Sequence, residues 1–405
     1  MTINGERLLA DLEALRHIGQ DRTGVHRPAL SDADLAARRW LAAKLAELGL
    51  EAELDGLGTV LGRSRAVGPA VLIGSHTDSV PHGGWLDGAL GVAYGLEIVR
   101  AFREAPATAG LAVDVVSFQD EEGTFFPCLG SRAFVGGANA ADLAGRRDAD
   151  GRVLVDELVR QGLADRPWAT LSTRRYRAFL EAHIEQGPRL EQSGLDIGVA
   201  TGIVGIRRYA VRAEGRADHA GTTPMAMRRD AGAALIRLGA VWLDSMDQLA
   251  GTDTVWNLGK LTFAPGAANV VPATAELWVE VRDPEAARLE AIEARLRELV
   301  AAADGRSDVA ITLERTAAIA PVGLDAGLVA TMEAAAVASG ASVVRMPSGA
   351  GHDAMILAPH VPSALLFIPS IGGRSHDVQE NSHAHDIVRG CAVLAETARR
   401  VLLEA

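Results

Sequence analysis

The chain has 405 residues, of which 48% are hydrophobic and 23% charged, and a formal net charge of -12. That length accommodates two domains with a sizeable core, and the composition is that of a globular protein rather than a disordered one. The acidic balance argues against nucleic acid or an anionic membrane as partner, since either calls for a basic face, and leaves a small-molecule or peptide ligand as the expectation. The N-terminal residues lack a basic start followed by a long apolar core, and no run approaches the roughly 20 apolar residues that span a bilayer. Two cysteines, Cys128 and Cys391, are too few for a disulfide framework, so a cytoplasmic protein is expected. Cys128 has no local histidine partner and reads as a small buried residue.

Residues 5–50 read as helical. Leu8, Leu12 and Leu15 form one apolar face and Leu35, Leu41, Leu45 and Leu48 another; a loop near Asp21-Arg22-Thr23-Gly24 separates them, and Ser31-Asp32 supplies cap candidates. Short strands are expected at 51–54 and 59–62. The apolar run Ala70-Val71-Leu72-Ile73 has the length and β-branched content of a buried strand, which delivers Gly74-Ser75-His76-Thr77-Asp78 at its carboxyl end. Asp87 follows, just before a stretch whose apolar spacing at Ala89, Val92, Ala93, Leu96 and Val99 suits a buried helix.

A second apolar strand at 111–118 ends in Gln119-Asp120-Glu121-Glu122-Gly123. Strand, helix and strand in succession imply a right-handed parallel crossover, which brings the two carboxyl ends together. A third run carries Glu181-Ala182-His183-Ile184-Glu185-Gln186-Gly187, and a fourth, Ala364-Leu365-Leu366-Phe367-Ile368, leads to Gly372-Gly373-Arg374-Ser375-His376. Between residues 207 and 321 the order changes to β-α-β-β-α-β, the split βαβ sandwich of ferredoxin-like modules. The expected fold is α/β: a catalytic domain with a mostly parallel central sheet flanked by helices (residues 1–206 and 322–405) and an inserted ferredoxin-like α+β domain (207–321).

Strand ends are where open α/β sheets hold ligands, and here they gather His76, Asp87, Glu121, Glu122, His183 and His376. Each alone reads as a polar loop residue or a cap; together they suit metal chemistry. Carboxylates crowded within a few ångströms raise each other's pKa unless a cation holds them. One carboxylate bridging two divalent ions, with imidazoles on each, suits Zn²⁺, Mn²⁺, Co²⁺ or Ni²⁺ better than Ca²⁺. Such a pair polarises a carbonyl and acidifies a water. Of the adjacent acids Glu121 and Glu122, one can bind metal while the other stays free as general base.

The strings Gly74-Ser75-His76-Thr77-Asp78, Asp120-Glu121-Glu122-Gly123, His183-Ile184-Glu185-Gln186-Gly187 and Gly373-Arg374-Ser375-His376 resemble the M20 metallopeptidase superfamily. The resemblance is closest to its amidohydrolase branch of N-carbamoyl-L-amino acid hydrolases, allantoate amidohydrolases and β-ureidopropionases. It implies two divalent ions per subunit, with His76 and His183 on one, Glu122 and His376 on the other, Asp87 bridging and Glu121 as general base. His383 and His385 lie nearby, but the Ser-His pairing selects His376. The segment Ala217-Asp218-His219-Ala220-Gly221-Thr222-Thr223-Pro224 is similar to the family's dimerisation-domain segment, which implies a homodimer with His219 supplied in trans to polarise the scissile carbonyl. On sequence alone His219 reads first as a turn residue between strand and helix. By the same likeness Asn269 and Arg282 hold the substrate carboxylate, Gln186 reads the ureido group, and Gly351 and His352 form another substrate loop, though His352 reads equally as the partner of a metal ligand. Arginine suits a carboxylate because its fork bonds bidentately.

The chain departs from the family pattern at Gly123-Thr124-Phe125-Phe126-Pro127-Cys128, which predicts a more apolar pocket wall than a polar substrate such as allantoate would need. The expected activity is metal-dependent cleavage of the carbamoyl C–N bond of an N-carbamoyl-L-amino acid, giving amino acid, carbon dioxide and ammonia. Allantoate or ureidopropionate hydrolysis, an aminoacylase or dipeptidase of the same superfamily, and a catalytically silent binding protein are the alternatives.

Overall fold

The computed structural model describes residues 2–403 and divides into two compact units. One comprises the residues up to Thr201 and those from Gly323 on; the other is Gly202–Val322.

In the first unit the apolar, β-branched runs are buried on both faces, as strands without a solvent side must be. Ala112–Phe118, Ala70–His76, Tyr176–Ile184 and Ser363–Ile368 lie side by side in that order as parallel strands, with Val60–Arg63 and Glu51–Leu54 antiparallel beyond one side and Ile197–Ile203 beyond the other. The Ile197–Ile203 strand and its neighbour Val343–Ser348 went unread in the sequence. Both carry weak signals, Gly198 and Gly202 in one and Arg345 and Pro347 in the other, as peripheral strands tolerate. Residues 5–50 form the helices Gly5–His17 and Asp32–Glu47, capped by the side chains of Asn4 and Ser31. A small hairpin of Gln20–Asp21 and Gly24–Val25 stands where a loop was expected.

The helix Ala89–Glu104 presses directly on the central strands because two glycines open its sheet-facing side. A Cβ on Gly91 would sit 2.5 Å from the Ala182 carbonyl oxygen, and one on Gly95 2.7 Å from a Val115 methyl. This close approach fixes the start of the helix, and with it Asp87, against the strand ends.

The second unit is a four-stranded antiparallel sheet in the order Val255–Ala264, Thr274–Asp283, Gly205–Glu214, Ala310–Ile319, the arrangement of a split βαβ sandwich. Alternation along Thr274–Asp283 sends Ala275, Leu277, Val279 and Val281 to one face. There they pack with Leu235, Leu238 and Trp242 of helix Ala231–Leu249 and Leu289, Ile292 and Leu296 of helix Ala286–Ala303. Helix Ala286–Ala303 begins two residues after Pro284, where the sequence had opened it. No helix among the described residues is long and apolar enough to cross a membrane.

Candidate metal centre

Parallel register sets the carboxyl ends of the central strands level: His76 pairs with Phe118, and His183 with Phe367. The loops leaving them bring Glu121, Glu122 and His376 to the same place as Asp87. Two donor groups result, His76 with Asp87 and His183, and Asp87 with Glu122 and His376.

Asp87 is common to both, and its two oxygens divide between them. Oδ1 lies 3.0 Å from His183 Nε2 and 3.5 Å from His76 Nε2. Oδ2 lies 3.3 Å from His376 Nε2, which is in turn 3.5 Å from Glu122 Oε2. The backbone fixes which nitrogens face inward. His76 Nδ1 donates to the Asp78 carbonyl at 3.0 Å and His183 Nδ1 to the Ile184 carbonyl at 2.8 Å, so both rings turn an Nε2 lone pair toward Asp87. Lone pairs and carboxylate oxygens facing one another at these distances repel unless a proton or a metal cation lies between them. Glu122 Oε1 is also buried without a hydrogen-bond partner. This donor set fits divalent ions.

The electrostatics follow from crowding. Burial, then Asp87, pushes Glu122 up to about 7. Burial also raises Glu121 well above the usual carboxylate range, against the pull of His76. Asp87, which burial alone would raise, is held well below that range by His183, His376 and His76 around it. A hydrogen bond to Asp87 lifts His376 to about 9. Glu121 belongs to neither donor group; its Oε2 lies 3.6 Å from His76 Nε2, and Cys128 Sγ contacts its other oxygen at 3.8 Å.

Gln186 Nε2 donates to Asp87 Oδ2 at 3.0 Å and to Ser375 Oγ at 3.2 Å, while its Oε1 is buried and unpartnered. Four of the eight described non-glycine residues with positive φ, Asp120, Cys128, Gln186 and His376, lie at or beside this centre. Each left-handed residue costs on the order of 1 kcal/mol, a concentration of strain that functional sites retain. His352 is buried, 4.7 Å ring to ring from His183, with Ser348 Oγ 2.9 Å from its Nε2; Gly351 beside it is exposed.

Several further side chains hold these donors in place. Glu380 Oε1 accepts from the Leu86 and Asp87 amides at 3.0 Å each and so sets the turn that presents Asp87. Ser375 Oγ lies 3.0 Å from both Asp87 Oδ2 and Glu380 Oε2. Arg38, wholly buried, donates to Asp78 Oδ1 at 3.0 Å and Asp34 Oδ1 at 2.8 Å. Asp353, also buried, has neither oxygen hydrogen-bonded, and burial followed by Glu181 pushes it up to about 8. Within the segment that departs from the family pattern, Phe125 is buried. Asp120 accepts from the Thr124, Phe125 and Phe126 amides and turns the loop so that Phe125 enters a core with Leu30, Leu35 and Leu129, with Phe126 packed against it.

His219, Asn269 and Arg282 belong to the second unit. The structure brings the first two together: the Ala220 amide donates to the Asn269 carbonyl at 3.0 Å, and His219 pairs with Val270 in an isolated bridge. Arg282 is at the far end of strand Thr274–Asp283, about 26 Å along it at ~3.3 Å per residue, with its guanidinium on Glu280.

A parallel sheet with imidazoles and carboxylates converging at its carboxyl edge is the layout of a hydrolase that holds divalent ions. This chain belongs to peptidase family M20/M25/M40, whose family model matches residues 72–400. Within that family it falls in the hydantoinase/carbamoylase amidohydrolase branch. It is 36% identical over 403 residues to an N-carbamoyl-L-amino acid amidohydrolase of Geobacillus stearothermophilus, covering 98% of both chains. It is likewise 36% identical over 358 residues to the allantoate amidohydrolase of Escherichia coli (strain K12), covering 87% of each. Among solved structures, an amidase of the hydantoinase/carbamoylase family from Burkholderia phymatum superposes with a TM-score of 0.94 at 49% identity, over 98% of each chain.

Proposed function

We propose that the protein hydrolyses the carbamoyl C–N bond of an N-carbamoyl-L-amino acid, releasing the amino acid, carbon dioxide and ammonia. The observation that carries this reading is the division of Asp87: each carboxylate oxygen serves a separate donor group while Glu121 is left over. His76 and His183 would hold one ion, Glu122 and His376 the other, with Asp87 between. Divalent ions, Zn²⁺, Mn²⁺, Co²⁺ or Ni²⁺, supply carbonyl polarisation and a more acidic water. Glu121 takes the proton from the attacking water and passes it to the leaving nitrogen. Its place beside His76 and outside both donor groups leaves its carboxylate free for both halves of that transfer. Gln186, whose free Oε1 is an acceptor, reads the ureido N–H groups; His352 supports His183 from behind, and Gly351 lines the substrate loop.

The second unit is read as a dimerisation domain. Its edge strand Val255–Ala264 exposes Trp256, Leu261 and Phe263, and helix Ala231–Leu249 exposes Ile236, Val241 and Leu243. An unpaired strand edge beside exposed apolar side chains is a surface that a second copy covers. The separation along strand Thr274–Asp283 supports a shared site, because a small ureido acid cannot span about 26 Å. His219 and Asn269 then come from one subunit and Arg282 from the other, with His219 acting in trans on the scissile carbonyl. Two free buried cysteines accord with a cytoplasmic enzyme.

Allantoate is the second reading. The identity to the allantoate enzyme equals that to the carbamoylase, and Phe125, one of the apolar residues that spoke against a polar substrate, is buried in a core. The test is ammonia release from N-carbamoyl-L-amino acids, allantoate and ureidopropionate with each metal added, beside amino-acid release from acyl substrates. Glu121→Gln should keep its metal and lose roughly 10²- to 10⁴-fold in turnover. Full activity in that variant removes Glu121 from the role, and chelator-insensitive hydrolysis removes the metals.

A further inference from the structure

His219 is exposed, yet its ring is fixed by backbone. The Gly221 amide donates to Nδ1 at 3.0 Å and the Thr222 amide at 3.2 Å. A nitrogen that receives N–H groups carries a lone pair, so the neutral ring bears its proton on Nε2, which becomes an outward-facing donor. The turn that supplies those amides is itself bracketed. Arg228 donates through Nη2 to the Ala220 carbonyl at 2.5 Å and through Nε to the Thr223 carbonyl at 3.1 Å, one bond on each side of Gly221 and Thr222. The Thr223 amide closes the turn on the His219 carbonyl at 3.1 Å, and the Val271 amide ties the preceding Asp218 carbonyl at 2.9 Å.

We propose that Arg228 is the positioning residue of His219: by clamping the turn on both sides it keeps two amides on Nδ1 and so holds the ring as an Nε2–H donor. This rests on the reading that His219 polarises the scissile carbonyl, and it specifies how. Charge that develops on a carbonyl oxygen is stabilised by a donor already aimed at it, and a ring free to choose its tautomer would offer a lone pair part of the time. Only the planar fork of arginine reaches two carbonyls on opposite sides of a turn; a lysine point charge reaches one.

The test uses the full-length, metal-loaded enzyme with ¹⁵N-histidine labelling, comparing wild type with Arg228→Met and Arg228→Lys. In wild type the His219 resonances should show a single Nε2–H tautomer. Arg228→Met should show both tautomers, a kcat reduced about tenfold or more with KM within about twofold, and partial recovery of kcat with guanidinium well below denaturing concentration. Arg228→Lys should fall between the two. An Nδ1–H tautomer in wild type, or an unchanged His219 signature in Arg228→Met, overturns the proposal whatever happens to activity. A changed signature with unchanged kcat keeps the clamp and refutes the catalytic role of His219.

Discussion

Replacing Arg38 with methionine removes the charge beneath the metal centre. The guanidinium is fully buried and donates to Asp34 Oδ1 at 2.8 Å, Asp78 Oδ1 at 3.0 Å and the carbonyls of Phe118, Gly58 and Ser117 at 3.0, 3.1 and 3.2 Å. Methionine fills comparable space, so the loss is chiefly electrostatic. Two carboxylates remain buried without their counter-ion, and breaking a buried pair in this way costs about 3–5 kcal/mol. That is a large share of the roughly 5–15 kcal/mol that holds a domain together. Burial already raises Asp34, and Arg38 is the strongest influence opposing that rise, so Asp34 would take up a proton rather than stay charged and the cost should sit toward the lower figure. Urea unfolding followed by tryptophan fluorescence should register a loss of about 3 kcal/mol. The same substitution releases Asp78, whose carbonyl aligns His76, and an outer partner of this kind typically contributes about 10- to 100-fold in metal affinity. Chelator competition measures that loss. A stability change under about 1 kcal/mol with unaltered metal affinity would refute the compensation argument.

Two other outcomes bear on separate parts of the reading. Gly88 has φ +64°, and a Cβ there would lie 2.4 Å from His76 Nε2, so Gly88→Ala should cost about 1–3 kcal/mol and lower metal content measured by elemental analysis; an alanine enzyme with full metal content would contradict the packing seen. Mixing Glu121→Gln subunits with His219→Ala subunits should restore activity in the hybrid, because one of its sites then has both groups. No recovery after verified subunit exchange would place His219 in the same subunit as the site it serves.

What the sequence disclosed and what it concealed divide along a physical line. His76, Glu121, Glu122 and His183 follow buried apolar strands, and a parallel sheet aligns the ends of such strands, so their convergence follows from topology before any coordinate is known. Glu380, Arg38 and Asp353 escape that logic. Each is a single polar residue whose neighbours in sequence say nothing of its surroundings; Arg38 reaches Asp78 from 40 positions away and Glu380 reaches Leu86 from 294. Phe125 escapes that logic for the same reason: its place is set by the Asp120 carboxylate, which accepts its amide, turns the loop and sends the ring to a core with Leu30 and Leu35. A strand end therefore supplies a site with its donors, and distant buried charges decide how those donors are held. Arg38 and Glu380 grip the two segments that carry His76 and Asp87 from behind, which lets the opposing oxygens and imidazoles remain close enough to share cations.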